Sequence, residues 1–136
     1  MPYLPLVLLV DDDAAARFLT QRLLRPYADQ VRVLEAGNGQ EALDVLDQQP
    51  PSSGPTLVLL DLNMPVMNGL AFLEYAHHSW LPTRRTATKI VLVSSTERVS
   101  EQQQAAALGA AFEPKPLTAG ALAKVLQQQL GAALAN

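Results

Sequence analysis

The chain has 136 residues, 49% of them hydrophobic and 17% charged, with a formal net charge of −3. That length accommodates one domain with a buried core, and the acidic balance leaves no electrostatic footprint for nucleic acid. With no cysteine in the chain, disulfides and thiolate metal sites are excluded, and a reducing cytoplasm is an acceptable home.

Residues 1–10 are apolar, but no basic residue precedes them and Asp11-Asp12-Asp13 follows. Such a segment makes a poor signal peptide and is too short to span a membrane. A buried first strand, Leu6–Val10, explains it better, because parallel strands covered on both faces are apolar throughout. The next segment puts Ala15, Phe18, Leu19 and Leu23 on one helical face, with Arg17, Gln21 and Arg25 elsewhere. Asp13 suits its N-cap and Pro26 its end. Val31–Glu35 reads as a short second strand. Asn38 is placed to cap a second helix with Ala42, Leu43 and Leu46 facing inward, and residues 50–55, rich in Pro, Ser and Gly, form a loop.

Thr56–Leu60 reads as the third strand, running into Asp61. Residues Asn63–Gly69 are rich in turn formers, and Leu70–Ala76 continues as a helix. His78–Thr88 reads as an irregular connection containing Trp80 and Pro82, and the basic cluster of Arg84, Arg85 and Lys89 at its end is best taken as a solvated loop. His77 and His78 suit a helix C-terminus. Ile90–Val93 is the fourth strand, followed by Ser94-Ser95-Thr96 and a helix through Val99 to Leu108, which Gly109 stops. Ala110–Glu113 is a fifth strand. Thr118 is placed to cap the last helix, where Leu122, Val125, Leu126 and Leu130 share a face. Strands alternating with helices imply βαβ units and a parallel sheet with right-handed crossovers.

In open α/β sheets, ligands bind beyond the carboxyl ends of the strands. That rule gathers Asp11, Asp12, Asp13, Asp61, Ser94 and Lys115 at one edge, although they lie far apart in the chain. Crowded carboxylates repel each other and raise the pKa of at least one unless a cation intervenes. Such an all-oxygen cluster suits a hard divalent metal together with a phosphoryl group. Each residue also has a plainer explanation: Asp13 as a helix cap, Asp61 as a turn initiator, Ser94 and Ser95 as caps of the fourth helix, Lys115 as a solvated side chain. The plainer account leaves their convergence unexplained.

Leu9-Val10-Asp11-Asp12-Asp13, then Leu60-Asp61-Leu62-Asn63-Met64-Pro65-Val66-Met67-Asn68-Gly69, then Val93-Ser94-Ser95 and Lys115-Pro116-Leu117 carry a resemblance. From about Leu6 to Leu130 the chain resembles the receiver domains of two-component response regulators, particularly single-domain chemotaxis regulators. The resemblance implies a doubly wound, flavodoxin-like (βα)5 fold with five parallel strands in the order 2-1-3-4-5, and one receiver domain over 1–136 without an output domain. It implies that Asp61 accepts a phosphoryl group from a phosphohistidine on a sensor histidine kinase or histidine phosphotransfer domain. Mg2+ would be held by Asp12 and Asp61 directly, by the Asn63 carbonyl, and by Asp11 mainly through water. Lys115 would pair with Asp61, Ser94 would hydrogen-bond the transferred group, and Phe112 would be the switch aromatic. The Lys115–Pro116 bond would be cis, and the signal would pass to a downstream protein through altered contacts, in the cytoplasm, with no nucleic acid or membrane involved.

The chain departs from the common family pattern at several positions. Ser94 stands for the more frequent threonine, and Phe112, often tyrosine in the family, offers no hydroxyl. Pro114 before Lys115 suits an edge strand, and Asn68 stands where aspartate is common. Asn63 and Thr96 lie near the expected path of the hydrolytic water. An aspartyl-nucleophile phosphohydrolase is the alternative, but such enzymes resemble this chain with a second aspartate two residues after the nucleophile. Asn63 in that place cannot transfer protons, so the expectation is a phosphoacceptor with only slow self-dephosphorylation. A receiver-like scaffold that is never phosphorylated is a third reading, which the full acidic set plus Lys115 opposes.

Overall fold

A computed structural model of the chain describes residues 4–49, 54–62, 64, 66–80, 88–95 and 98–134. Asn63, Arg84, Arg85 and Thr96, and the side chain of Trp80, lie outside the described residues. The elements run β1 (Leu6–Val10), α1 (Ala14–Leu24), β2 (Arg32–Ala36), α2 (Gly39–Asp47), β3 (Thr56–Leu60), α3 (Gly69–Tyr75), β4 (Thr88–Ser94), α4 (Val99–Ala107), β5 (Ala111–Pro114) and α5 (Ala119–Leu130). The sheet is parallel, in the order β2-β1-β3-β4-β5, the doubly wound arrangement expected from the sequence.

The alternation of side chains along each central strand explains why those strands are apolar at every position. Leu6, Leu8 and Val10 of β1, Val58 and Leu60 of β3, and Ile90 and Leu92 of β4 enter one core layer with α2, α3 and α4. Val7, Leu9, Leu57, Leu59, Val91 and Val93 enter a second layer, with Leu24 of α1 and Leu122, Val125, Leu126 and Leu130 of α5. Each of these side chains contributes about 1.5–3 kcal/mol when buried.

Caps foreseen from residue type are in place. The side chain of Asp13 accepts from the Ala15 amide, Asn38 from Glu41 and Thr118 from Ala121; Asn68, read only as a turn former, also caps α3 by accepting from the Ala71 amide. Gly109, at φ +85° just past α4, takes the left-handed position that favours glycine. β4 begins at Thr88, ahead of its apolar run, because Thr88 pairs with Thr56 of β3. Pro114 ends β5 at the sheet edge, where a missing donor costs nothing.

Two expectations, and one of the plainer readings, need correction. The face of α1 defined by Phe18 and Leu19 is not buried: those residues are 56% and 58% exposed. The helix is rolled so that Leu24 packs inward, with Leu23 half-buried beside it, and Arg17 turns towards the strand ends. A helix with one fully buried residue has too narrow an apolar stripe for its period to fix its rotation. Secondly, α3 does not simply stop before His77 and His78. It runs on as a π-helical turn, Ala76–Trp80, with the two histidine rings edge to face, centroids 5.0 Å apart. Thirdly, neither Ser94 nor Ser95 caps α4. Arg98 holds the N-cap position without a side-chain bond, and Ser94 is the last residue of β4.

Candidate functional site

The acids lie at the C-terminal edge because the strand ladder continues into them. The Asp11 amide donates to the Ala36 carbonyl at 3.1 Å and the Asp61 amide to the Val10 carbonyl at 2.8 Å. Asp61 follows β3 as Asp11 follows β1, and β1 and β3 are neighbours in register. On the far side, the Lys115 amide donates to the Ser94 carbonyl at 3.0 Å, which ties the loop after β5 to the end of β4. The loop after β3 closes against two glycines. The Gly69 amide donates to the Leu62 carbonyl at 2.8 Å and the Gly39 amide to the Met67 carbonyl at 3.1 Å. A Cβ on Gly69 would come within 2.5 Å of the Asp61 carbonyl oxygen, so that close approach requires glycine.

Lys115 reaches across this edge. Its Nζ is 3.2 Å from Asp61 Oδ1 and 3.2 Å from Asp11 Oδ2. Besides the pair with Asp61 that the resemblance implies, the lysine contacts Asp11, so it bridges two carboxylates. Asp11 Oδ1 accepts from the Asp13 amide at 2.9 Å. Asp12 stands exposed beside them. One oxygen each from Asp11, Asp12 and Asp61 lies within 4.8 Å of the others. Ser94 is buried at the end of β4, and Phe112 is half-buried, packed against the core layer of α2, α3 and α4. The Lys115–Pro116 peptide is cis.

Burial pushes the Asp61 carboxyl above its ordinary value. The ammonium of Lys115 pulls it down and the charge of Asp11 pushes it up again, leaving it raised overall. For Lys115, burial works to lower the pKa, but Asp61 and Asp11 together outweigh it and hold it above the usual lysine value. Asp61 is thus a desolvated anion with one fixed cation beside it. The donor set is all oxygen and carries more negative charge than one lysine neutralises, so the residues fit a hard divalent cation.

Beside the acids a cleft of about 460 Å3 opens between α1 and the Lys115–Leu117 loop. Its walls are mostly apolar, from Ala16, Leu19, Leu23, Leu59, Val93 and Leu117, and Asp61 and Lys115 also line it.

The sequence reasoning passed over Arg17 and Glu35. Arg17 donates through Nε to Glu35 Oε1 at 2.8 Å and through Nη1 to the Asp11 carbonyl. A signal was present: Arg17 follows the cap residue Asp13 by four positions, so it shares that residue's side of the helix, and Glu35 ends the second apolar run.

Comparison with known proteins agrees with this geometry. Residues 7–127 match the response regulator receiver domain family. The probable chemotaxis protein CheY of Rhizobium etli is 31% identical over 127 residues, covering 93% of this chain and 92% of the relative. A response regulator receiver protein from Pseudomonas putida superposes with a TM-score of 0.76 at 26% identity, over 94% of this chain and 99% of that one. The Saccharomyces cerevisiae Ssk1 receiver domain, solved with the histidine phosphotransfer protein Ypd1, shares the fold at a TM-score of 0.76 and 20% identity, over 99% and 94% of the chains. With the strand order, the acidic edge and the bridging lysine already in place, the match over 7–127 settles the family: the chain belongs to the response regulator receiver domains.

Proposed function

We propose that Asp61 is the phosphoacceptor of a two-component phosphorelay, and that its charge state governs contacts with other proteins. The observation that carries this reading is Lys115, held 3.2 Å from both Asp61 and Asp11 at a carboxylate whose burial already disfavours its free anion. Phosphoryl transfer needs little covalent machinery beyond an aligned nucleophile and positive charge around the equatorial oxygens. Asp61 supplies the nucleophile: one oxygen forms the P–O bond as the donor's P–N bond breaks, and the departing imidazole takes up a proton. Lys115 supplies a fixed cation. Ser94, in register with Pro114 across β4 and β5, supplies a hydroxyl donor at the same edge. Phe112, half-buried against the core layer of α2, α3 and α4, would turn further inward once that hydroxyl moves, so the face of α4, β5 and α5 would report the change.

Mg2+ bound by Asp12 and Asp61, with the Asn63 carbonyl and a water-mediated Asp11, would add the remaining positive charge. The phosphodonor is a histidine kinase or a histidine phosphotransfer protein. The solved complex of the yeast receiver supports that class of partner, and the cleft beside exposed Phe18 and Leu19 offers it apolar area. No helix among the described residues is long and apolar enough to cross a membrane; the cytoplasm is the proposed place of action because the receiver family works there.

Phosphoramidate carries the same P–N bond as phosphohistidine and tests the reading without a partner. With Mg2+ it is expected to phosphorylate the chain, and chelation by EDTA is expected to abolish the reaction. A chain that stays unlabelled with Mg2+ present would overturn the proposal.

A further inference from the structure

The peptide unit between Asp11 and Asp12 is held from outside the acidic cluster. Its carbonyl oxygen accepts from Arg17 Nη1. The other donor used by Arg17, Nε, is engaged by Glu35 Oε1 at 2.8 Å, and the second oxygen of Glu35 accepts from Gln21 Nε2 at 3.3 Å. Arg17 is therefore fixed at both ends, with only 22% of its side chain exposed. A planar fork with donors in two directions spans two acceptors that a lysine cannot reach together.

The consequence falls on Asp12. The Asp11 carboxylate is itself restrained, by the Asp13 amide and by Lys115, whereas Asp12 is exposed and takes its place from the backbone on either side. Rotation of the Asp11–Asp12 peptide plane would redirect the Asp12 Cα–Cβ bond and carry its carboxylate away from Asp61. We infer that Arg17, oriented by Glu35, is a positioning residue: it locks the Asp11–Asp12 peptide so that the carboxylates of Asp12 and Asp61 converge on one cation. This rests on the proposed divalent-metal chemistry of the site.

Charge and position make opposite predictions here. As a mere positive charge near an acidic cluster, Arg17 repels a divalent cation, so its removal should tighten Mg2+ binding. As a positioning residue its removal should weaken binding, and groups that orient metal ligands typically change affinity 10- to 100-fold. The experiment is calorimetric Mg2+ titration of the full chain for wild type, Arg17→Ala and Arg17→Lys, with Arg22→Ala as a control on the exposed side of α1. Circular dichroism on each variant shows that it is folded. Both Arg17 variants are expected to lose about 10-fold or more in Mg2+ affinity, and the control to stay within about twofold. Glu35→Gln, which leaves Arg17 in place but loosens its anchor, is expected to fall between. A purely structural role would lower the unfolding temperature and leave the Mg2+ affinity of the folded protein alone. Unchanged or tighter binding in Arg17→Lys would overturn the inference while the phosphoacceptor reading stands. Absence of Mg2+ binding in the wild type would overturn both.

Discussion

Asp61 combines burial with two charged neighbours of opposite sign, and burial has the larger effect. Because folding raises its pKa, the ionised carboxylate weakens the native state at neutral pH, and protonation relieves that cost as the pH falls through the raised value. Asp61→Asn is therefore expected to unfold at a higher temperature than wild type in EDTA at neutral pH, with the gap closing on acidification. A variant that melts lower at neutral pH would contradict this. Val66 presents a different tension. It sits at φ +67° and is 86% exposed, in a region where a β-branched residue is a genuine outlier. The left-handed conformation costs about 1–2 kcal/mol in a residue with a Cβ, and glycine pays roughly 0.5–1 kcal/mol in extra chain entropy. Val66→Gly should thus gain up to about 1.5 kcal/mol in urea unfolding; a clear loss would show that the valine side chain has a partner. The acids and the lysine were legible in the sequence because strand ends are legible. The backbone of Val66 was not, since nothing in a valine announces a positive φ.

Helices α1 and α5 cover the same layer unequally. α5 buries Leu122, Val125, Leu126 and Leu130, whereas α1 buries Leu24 alone. At about 1.5–3 kcal/mol per buried side chain, α5 is held by several kcal/mol more than α1. Hydrogen exchange is expected to show α1 amides opening locally, well before those of α5 and β1. Equal protection in α1 and α5 would contradict the packing described. The same asymmetry explains what the sequence revealed. The period of α5 was unambiguous because four large side chains mark its face. The period of α1 misled because Phe18 and Leu19 are apolar yet face solvent, while a charged residue, Arg17, turns towards the site. Short strands were placed to within two residues, since their limits depend on pairing partners such as Thr56 with Thr88 that apolar content does not show.

The whole molecule is a device for bringing distant residues to one sheet edge. Parallel register sets Asp11 beside Asp61, and the crossover to β5 carries Lys115 back over 104 positions to meet Asp11. The parallel sheet and the meeting of acids with lysine at one edge follow from alternating strands and helices, whereas the strand order was implied by the family resemblance and is seen in the sheet itself. The outer support from Arg17 and Glu35 was hidden because it depends on the rotation of one helix. On the proposed reading, this edge makes Asp61 a phosphoacceptor. Acetyl phosphate and Mg2+, followed by intact-mass measurement and mapping of the modified residue, test it most directly. The account predicts the gain of a single phosphoryl group on Asp61 that chelation abolishes and Asp61→Asn lacks. An unmodified wild-type chain, or equal modification of Asp61→Asn, would contradict it.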